Sequence, residues 1–236
     1  MNGALTTEVD GDVLVAHMDD GKANVFGHDM LGGLQAGLDA AEADEKVRAV
    51  VIAGRPGCFS GGFDLAVMRG GQDATQGLVR AGAELCLRLY GFRLPVVGAC
   101  TGHAVAAGAI TLMALDTRIG AEGKFKVGMS EVALGMRLPV YAAALAQDRL
   151  SRLRLTSATI QGELFDPMTA VEVGYLDRVV DADQVIAEAV AEAHRLAKLP
   201  TGAHALTKEV IRSATIDHIR KTLDSDMGAL PSLPPA

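Results

Sequence analysis

The sequence predicts an α/β fold of repeated ββα turns with a helical C-terminal region, and three observations carry that prediction. Short β-branched runs alternate with stripes at helical spacing, two loops of small residues each follow such a run, and helical periodicity alone persists beyond Asp183.

Taken in order, residues 12–18 and 47–53 read as strands, and between them Met30, Leu31, Leu34, Leu38 and Ala41 recur at helical spacing. The chain therefore opens as strand, helix, strand. A second stripe over 73–91 runs through Leu78, Ala81, Leu85 and Leu89, followed by a strand at 95–99 and an apolar helix over 107–115. Extended pieces at 116–120 and 125–127 lead into a turn-rich region, 128–139, and a helix over 140–150. Asp166 and Pro167 mark a helix start, an N-cap acceptor before a first-turn proline, and Gly174 marks its end. Residues 175–180 return as a strand. From Asp183 the residues Val185, Ile186, Ala189, Val190, Ala193 and Leu196 are periodic up to Pro200, and two further helices are expected near 202–213 and 216–225. Pro231, Pro234 and Pro235 stop any helix, so 228–236 is expected to be a flexible tail.

With 236 residues the chain can bury a large core without metals or disulfides. A net charge of −7 and an aromatic content of 4% leave neither a basic face nor a stacking platform for nucleic acid. Three cysteines, Cys58, Cys86 and Cys100, lack metal-ligand spacing, which fits a reducing cytoplasm. The N-terminus shows no signal-peptide pattern. The longest apolar stretch, Ala104–Leu115, falls short of the roughly 20 residues of a membrane span. A soluble protein is expected.

The two small-residue loops, 58–65 and 101–108, follow Val47-Arg48-Ala49-Val50-Val51-Ile52 and Pro95-Val96-Val97-Gly98-Ala99, so both can leave one sheet at the same edge. Backbone N–H groups from the two loops can then converge on one carbonyl oxygen, each such donor being worth about 3 kcal/mol of barrier. Glu131, flanked by apolar residues between Gly128 and Gly135, is the candidate base, because apolar surroundings raise a carboxyl pKa toward neutrality. Read alone, it is equally a turn residue. Ser60, His103 and Asp64 supply the residue types of a nucleophilic triad, but their order and spacing match no triad, and Cys58 stands where Gly-x-Ser-x-Gly needs glycine. Asp64 reads better as a helix cap, and His103 as a local hydrogen-bonding residue.

The runs Phe59-Ser60-Gly61-Gly62-Phe63-Asp64-Leu65, Leu94 to Ala104 and Glu131-Val132-Ala133-Leu134-Gly135 resemble the three signature segments of the enoyl-CoA hydratase/isomerase, or crotonase, family. The likeness extends to Lys22-Ala23-Asn24, to Gly162-Glu163 through Ala170, and to Gly174-Tyr175-Leu176. It implies a crotonase-like spiral of ββα units over 1–182 holding an acyl-CoA thioester. It further implies a trimerisation region over 183–227, and a homotrimer or a dimer of trimers.

By the same resemblance Gly61 and Ala107 supply the oxyanion N–H groups, the second standing where the family usually has glycine. Lys22, Ala23 and Asn24 lie along the nucleotide end of CoA, and Ser60, Gly62, Phe63, Asp64, Leu65 and Ile110 belong to the substrate site. Hydratases of the family carry one glutamate at the position of Ile110 and another at that of Glu131; only Glu131 is present here. A single base suits the shift of a double bond from the 3,4 to the 2,3 position, as in the family's 3-enoyl-CoA isomerases. Dienoyl isomerases place an aspartate at the position of Pro139. Water addition to trans-2-enoyl-CoA, and acyl-CoA binding without turnover, are the alternatives. No metal or redox cofactor is implied beyond the coenzyme A of the substrate. Lys208 is weighed as a phosphate contact and not adopted.

Overall fold

The chain reverses at Gly11, where φ is +60°, and so produces a hairpin that hydrophobic periodicity does not announce. In the computed structural model, which describes residues 3–230, Leu5–Asp10 (β1) pairs antiparallel with Val13–Met18 (β2). β1 is exposed at five of its six positions and has no apolar face to read. The helix His28–Ala43 (α1) then leads to Ala49–Ala53 (β3), parallel to β2.

The segments expected to be loops begin as short strands. Gly57–Ser60 (β4) precedes the helices Leu65–Met68 (α2) and Gln72–Gly91 (α3). Val96–Cys100 (β5) is followed at once by Gly102–Val105 (β6) and the helix Ala107–Ala114 (α4). Thr117–Ala121 (β7) and Val127–Gly128 (β8) precede a 3₁₀ turn at Val132–Leu134 and the helix Val140–Arg149 (α5). Three successive turns of chain thus each give one strand to a six-stranded sheet, order β1-β2-β3-β5-β7-β9, and one to a three-stranded sheet, order β4-β6-β8. Beyond β1 every pairing in both sheets is parallel. The helices Leu155–Thr159 (α6) and Pro167–Val173 (α7) and the strand Arg178–Val180 (β9) complete the larger sheet. Asp166 caps α7 through Thr169 N–H, and Gly174 ends it in the left-handed conformation, as the sequence predicts.

Parallel strands covered on both faces are apolar throughout, and β3 and β5 are buried at every position. One face of the larger sheet holds Leu14, Val50, Ile52 and Val96 against α1, α3 and α4. The other holds Val15, Val51, Val97 and Ile119 against Val185, Ala189 and Ala193 of the helix Val185–Ala197 (α8). The stripe of α8 is therefore covered within its own chain.

The two helices expected near 202–213 and 216–225 are one, Thr201–Gly228 (α9). It docks through a buried cluster. Lys208 Nζ donates to Asp116 Oδ2 at 2.7 Å and to the carbonyls of Phe92 and Leu94, and Arg212 donates to Asp116 Oδ1 at 2.8 Å. Of the segment expected to be a flexible tail, Gly228 is the last residue of α9 and Leu230 is buried; residues 231–236 lie outside the described residues. No helix among the described residues is long and apolar enough to cross a membrane.

Candidate active site

The first loop is held from beneath by residues 20–24. Asn24 is fully buried with φ +48°, and its side-chain amide donates to the carbonyls of Met18 at 2.9 Å and Phe59 at 3.2 Å. Its Oδ1 accepts the Asp20 N–H at 3.0 Å, while the Asp20 carboxylate accepts the N–H groups of Lys22, Asn24 and Val25. Those bonds hold the Asp20 carboxyl below its ordinary pKa against the opposing effect of burial, which is the largest single influence. Ser60, also fully buried, donates its hydroxyl to Asn24 O at 2.7 Å and accepts the Gly62 N–H at 3.1 Å.

Gly61 donates its N–H to Ala23 O at 2.8 Å. This corrects the expectation that Gly61 is an oxyanion donor: its amide is already satisfied by the 20–24 segment. Two residues on, the chain turns over. Gly62 O accepts from Phe26, and the Asp64 N–H returns to Phe26 O, so the intervening Phe63 N–H points the other way and meets no acceptor among the described residues. Gly62 makes this possible with φ +98°, and a Cβ there would lie 3.0 Å from Ala106 Cβ and 3.4 Å from Ala107 N. The peptide entering Phe63 therefore lies against the start of α4.

The second loop delivers the other amide. Ala106 sits at φ +52°, ψ −124°, a conformation strained for any residue with a side chain, and Ala107 follows as the first helical residue. Its N–H, like that of Phe63, meets no acceptor among the described residues. As one of the first donors of a helix it lies where the end dipole favours negative charge. Gly108 lets α4 approach, since a Cβ there would come within 2.5 Å of Ser60 O.

Glu131, 4% exposed, precedes the 3₁₀ turn and faces a cavity lined by Phe63, Met68, Ile110, Met136, Arg137 and Leu230, among others. It is the one carboxylate in that lining among the described residues. Burial raises its pKa to about 7, opposed weakly by the N–H groups of Glu131 and Ser130, and Oε2 has no hydrogen-bond partner. The open volume is about 20 Å³, room for roughly one water. Any larger ligand must displace part of the wall.

Of the residues assigned to the substrate site by sequence, Phe63 and Ile110 line this cavity and Gly62 shapes its edge. Asn24 and Ser60 are fully buried and support the first loop from below, so their side chains are corrected to structural. Asp64 caps α2 through the Ala66 N–H at 2.8 Å. Lys22, Ala23 and Leu65 are exposed beside the loop. His103 is exposed and accepts the Lys126 N–H, with no bond to Ser60 or Asp64. Lys208 is buried on Asp116, away from this cavity, and is unavailable to a phosphate. Sequence reasoning misses Met68, Thr75, Val79, Met136, Arg137 and Leu230, which come from α2, α3, the segment before α5 and the end of the described chain. The apolar ones look like ordinary core in any periodicity, and Pro139, noted for its spacing from Glu131, lines the same cavity.

The model of the family described as enoyl-CoA hydratase/isomerase matches residues 8–234. Human mitochondrial enoyl-CoA delta isomerase 1 is 31% identical over 218 residues, covering 91% of this chain and 72% of that protein. The solved structure of an enoyl-CoA isomerase from Mycobacterium tuberculosis superposes with a TM-score of 0.92 at 35% identity, over 97% of this chain and 100% of that one. An enoyl-CoA hydratase structure from Mycobacterium marinum gives 0.91 at 36% identity, over 96% and 99%. The relatives carry different reaction names on one fold, and that fold is shared by this molecule over nearly its whole length: the chain belongs to the enoyl-CoA hydratase/isomerase family.

Proposed function

We propose that the protein moves the double bond of a 3-enoyl-CoA thioester to the 2,3 position, with Glu131 as the only base. The observation that carries this reading is the cavity itself, where Glu131 shares the lining with Ile110 and with no second carboxylate among the described residues. The thioester oxygen sits between the N–H groups of Phe63 and Ala107. Glu131 takes a proton from C2, the electron pair delocalises through the carbonyl to the oxygen as a dienolate, and those amides stabilise the charge. The protonated Glu131 returns its proton to C4, and the electrons re-form the carbonyl with the double bond between C2 and C3. A base whose pKa lies near 7 suits both halves of this shuttle, since it accepts and releases a proton with comparable ease. Water addition needs a second group to orient and deprotonate the water, and Ile110 offers none.

Similarity to the human delta isomerase supports the same choice. The exposed Lys22 and Ala23 suit the nucleotide end of CoA. Exposed Leu206, Val210 and Ile211 on α9 support assembly as a trimer or a pair of trimers. The three free thiols favour a cytoplasmic setting. The deciding experiment supplies 3-enoyl-CoA and trans-2-enoyl-CoA separately and follows the conjugated-thioester absorbance. A rise with the first substrate is expected. Consumption of the second alone, with 3-hydroxyacyl-CoA formed, makes the enzyme a hydratase; tight acyl-CoA binding with neither change makes it a binding protein.

A further inference from the structure

Arg137 lines the same cavity as Glu131, yet its guanidinium is turned away from that carboxylate. The Met136 N–H donates to Glu131 O at 2.9 Å, so the backbone folds back and brings residue 137 close to the base. The side chain is drawn instead to the end of α9. Arg137 Nη2 lies 2.7 Å from Asp226 Oδ1, as an ion pair rather than an aligned hydrogen bond, and donates to Asp226 O at 2.9 Å. Asp226 is itself 4% exposed, and its Oδ2 accepts the Val140 N–H at 2.7 Å, at the start of α5. Other titratable groups face this region: Tyr141 on α5, Tyr175 after α7, and Cys86 on α3 beside Tyr141. Burial raises all three pKa values, so they stay neutral near pH 7. Arg137 is thus the one cationic side chain in the lining of the Glu131 cavity among the described residues, and Asp226 is the carboxylate that holds it.

We propose that Asp226 is a positioning residue for the reaction: by holding Arg137 against the end of α9, it keeps the guanidinium off Glu131 and leaves that carboxylate free to take a proton. Without this tether Arg137 pairs with Glu131 and turns a poised base into a salt-bridged, weakly basic one. The inference rests on the isomerase reading only for which reaction is timed.

The test compares Asp226→Asn, Arg137→Met and the double variant. In each, the acid limb of the pH dependence of kcat/KM for 3-enoyl-CoA is measured. The Glu131 carboxyl is also titrated by carbon-13 NMR, its signal assigned by its loss in Glu131→Gln. Asp226→Asn leaves an uncompensated cation and moves the limb and the titration down by about one unit or more. Arg137→Met leaves an uncompensated anion and moves both up. The double variant returns them to the wild-type position. Coincident or absent shifts in the two single variants overturn the proposal, because a merely structural pair predicts no opposition of sign. Should Asp226→Asn fail to fold, Arg137→Met alone decides, an unmoved titration being the negative result. Absence of wild-type turnover on every enoyl-CoA removes the isomerase reading, while the NMR titration still tests the tether.

Discussion

Gly61 gives its backbone N–H to Ala23 O at 2.8 Å, while the Phe63 N–H meets no acceptor among the described residues, so Phe63 is the proposed first oxyanion donor. Replacing the Phe63 amide by an ester, through semisynthesis, is expected to lower kcat by about 10²–10³. The same replacement at Gly61 should loosen the first loop and lower the unfolding midpoint, with a smaller effect on kcat. Equal kinetic losses at the two positions would return Gly61 to the site.

Gly62 carries both a positive φ and a tight approach to α4. Gly62→Ala is expected to cost about 1–3 kcal/mol of stability and to reduce turnover by displacing the Phe63 amide. Urea unfolding and kcat, measured on the same preparation, check both halves.

Ala106 holds a conformation that glycine adopts without strain. Ala106→Gly should raise stability by about 1 kcal/mol, seen as an increase in Tm of roughly 2–4 °C. An unchanged or lower Tm means the surrounding bonds, such as Ala106 N–H to Gly128 O, already relieve the strain.

Glu131 has its pKa raised from 4.5 to about 7 by burial, so the folded state binds its proton more tightly than the unfolded chain. Stability from this group is fully present below the unfolded value and is lost as pH rises through about 7. Glu131→Gln should therefore raise Tm at pH 8, with the advantage shrinking toward pH 5. It should also lower kcat by about 10²–10⁴ while acyl-CoA affinity is retained. In the wild type, kcat should fall as pH drops below about 7, because the base becomes protonated.

Lys208 anchors α9 to Asp116 and to two backbone carbonyls. Lys208→Met is expected to cost about 3 kcal/mol, read by denaturant unfolding, because buried acceptors lose their donor while Arg212 still holds Asp116. Calorimetric affinity for acyl-CoA should be unaffected in the folded fraction, which separates this anchor from a phosphate contact.

Strong local patterns were legible in the sequence, and long-range pairings were not. The strand at 47–53, the stripe of α3 and the Asp166, Pro167 and Gly174 punctuation of α7 each have a signature within a few residues. β4 and β6 are too short and glycine-rich to show alternation, so they read as loops although they pair across the small sheet. α9 runs unbroken through Ser213 and Thr215, weaker helix formers than the Ala214 between them, because its docking on Asp116 and the core overrides local propensity. The burial of Glu131 is signalled by its apolar neighbours and its place in the third family-like segment, whereas the Arg137–Asp226 pair spans most of a hundred residues and has no local sign. That the Phe63 N–H and not the Gly61 N–H is left without an acceptor turns on which way one peptide faces, a matter decided by the bond from Gly61 to Ala23.

The strands that launch the two amides, β4 and β6, are immediate neighbours in the smaller sheet. Neighbouring strands keep a separation of about 4.8 Å through their ladder bonds. The strand spacing therefore sets how far apart the two loops start, and the backbone turns at Gly62 and Ala106 aim the Phe63 and Ala107 amides from there. Descendants of this scaffold can exchange the acid and the outer helices while inheriting the same strand spacing, so new chemistries can arise on it without rebuilding the two loops proposed to hold the substrate oxygen.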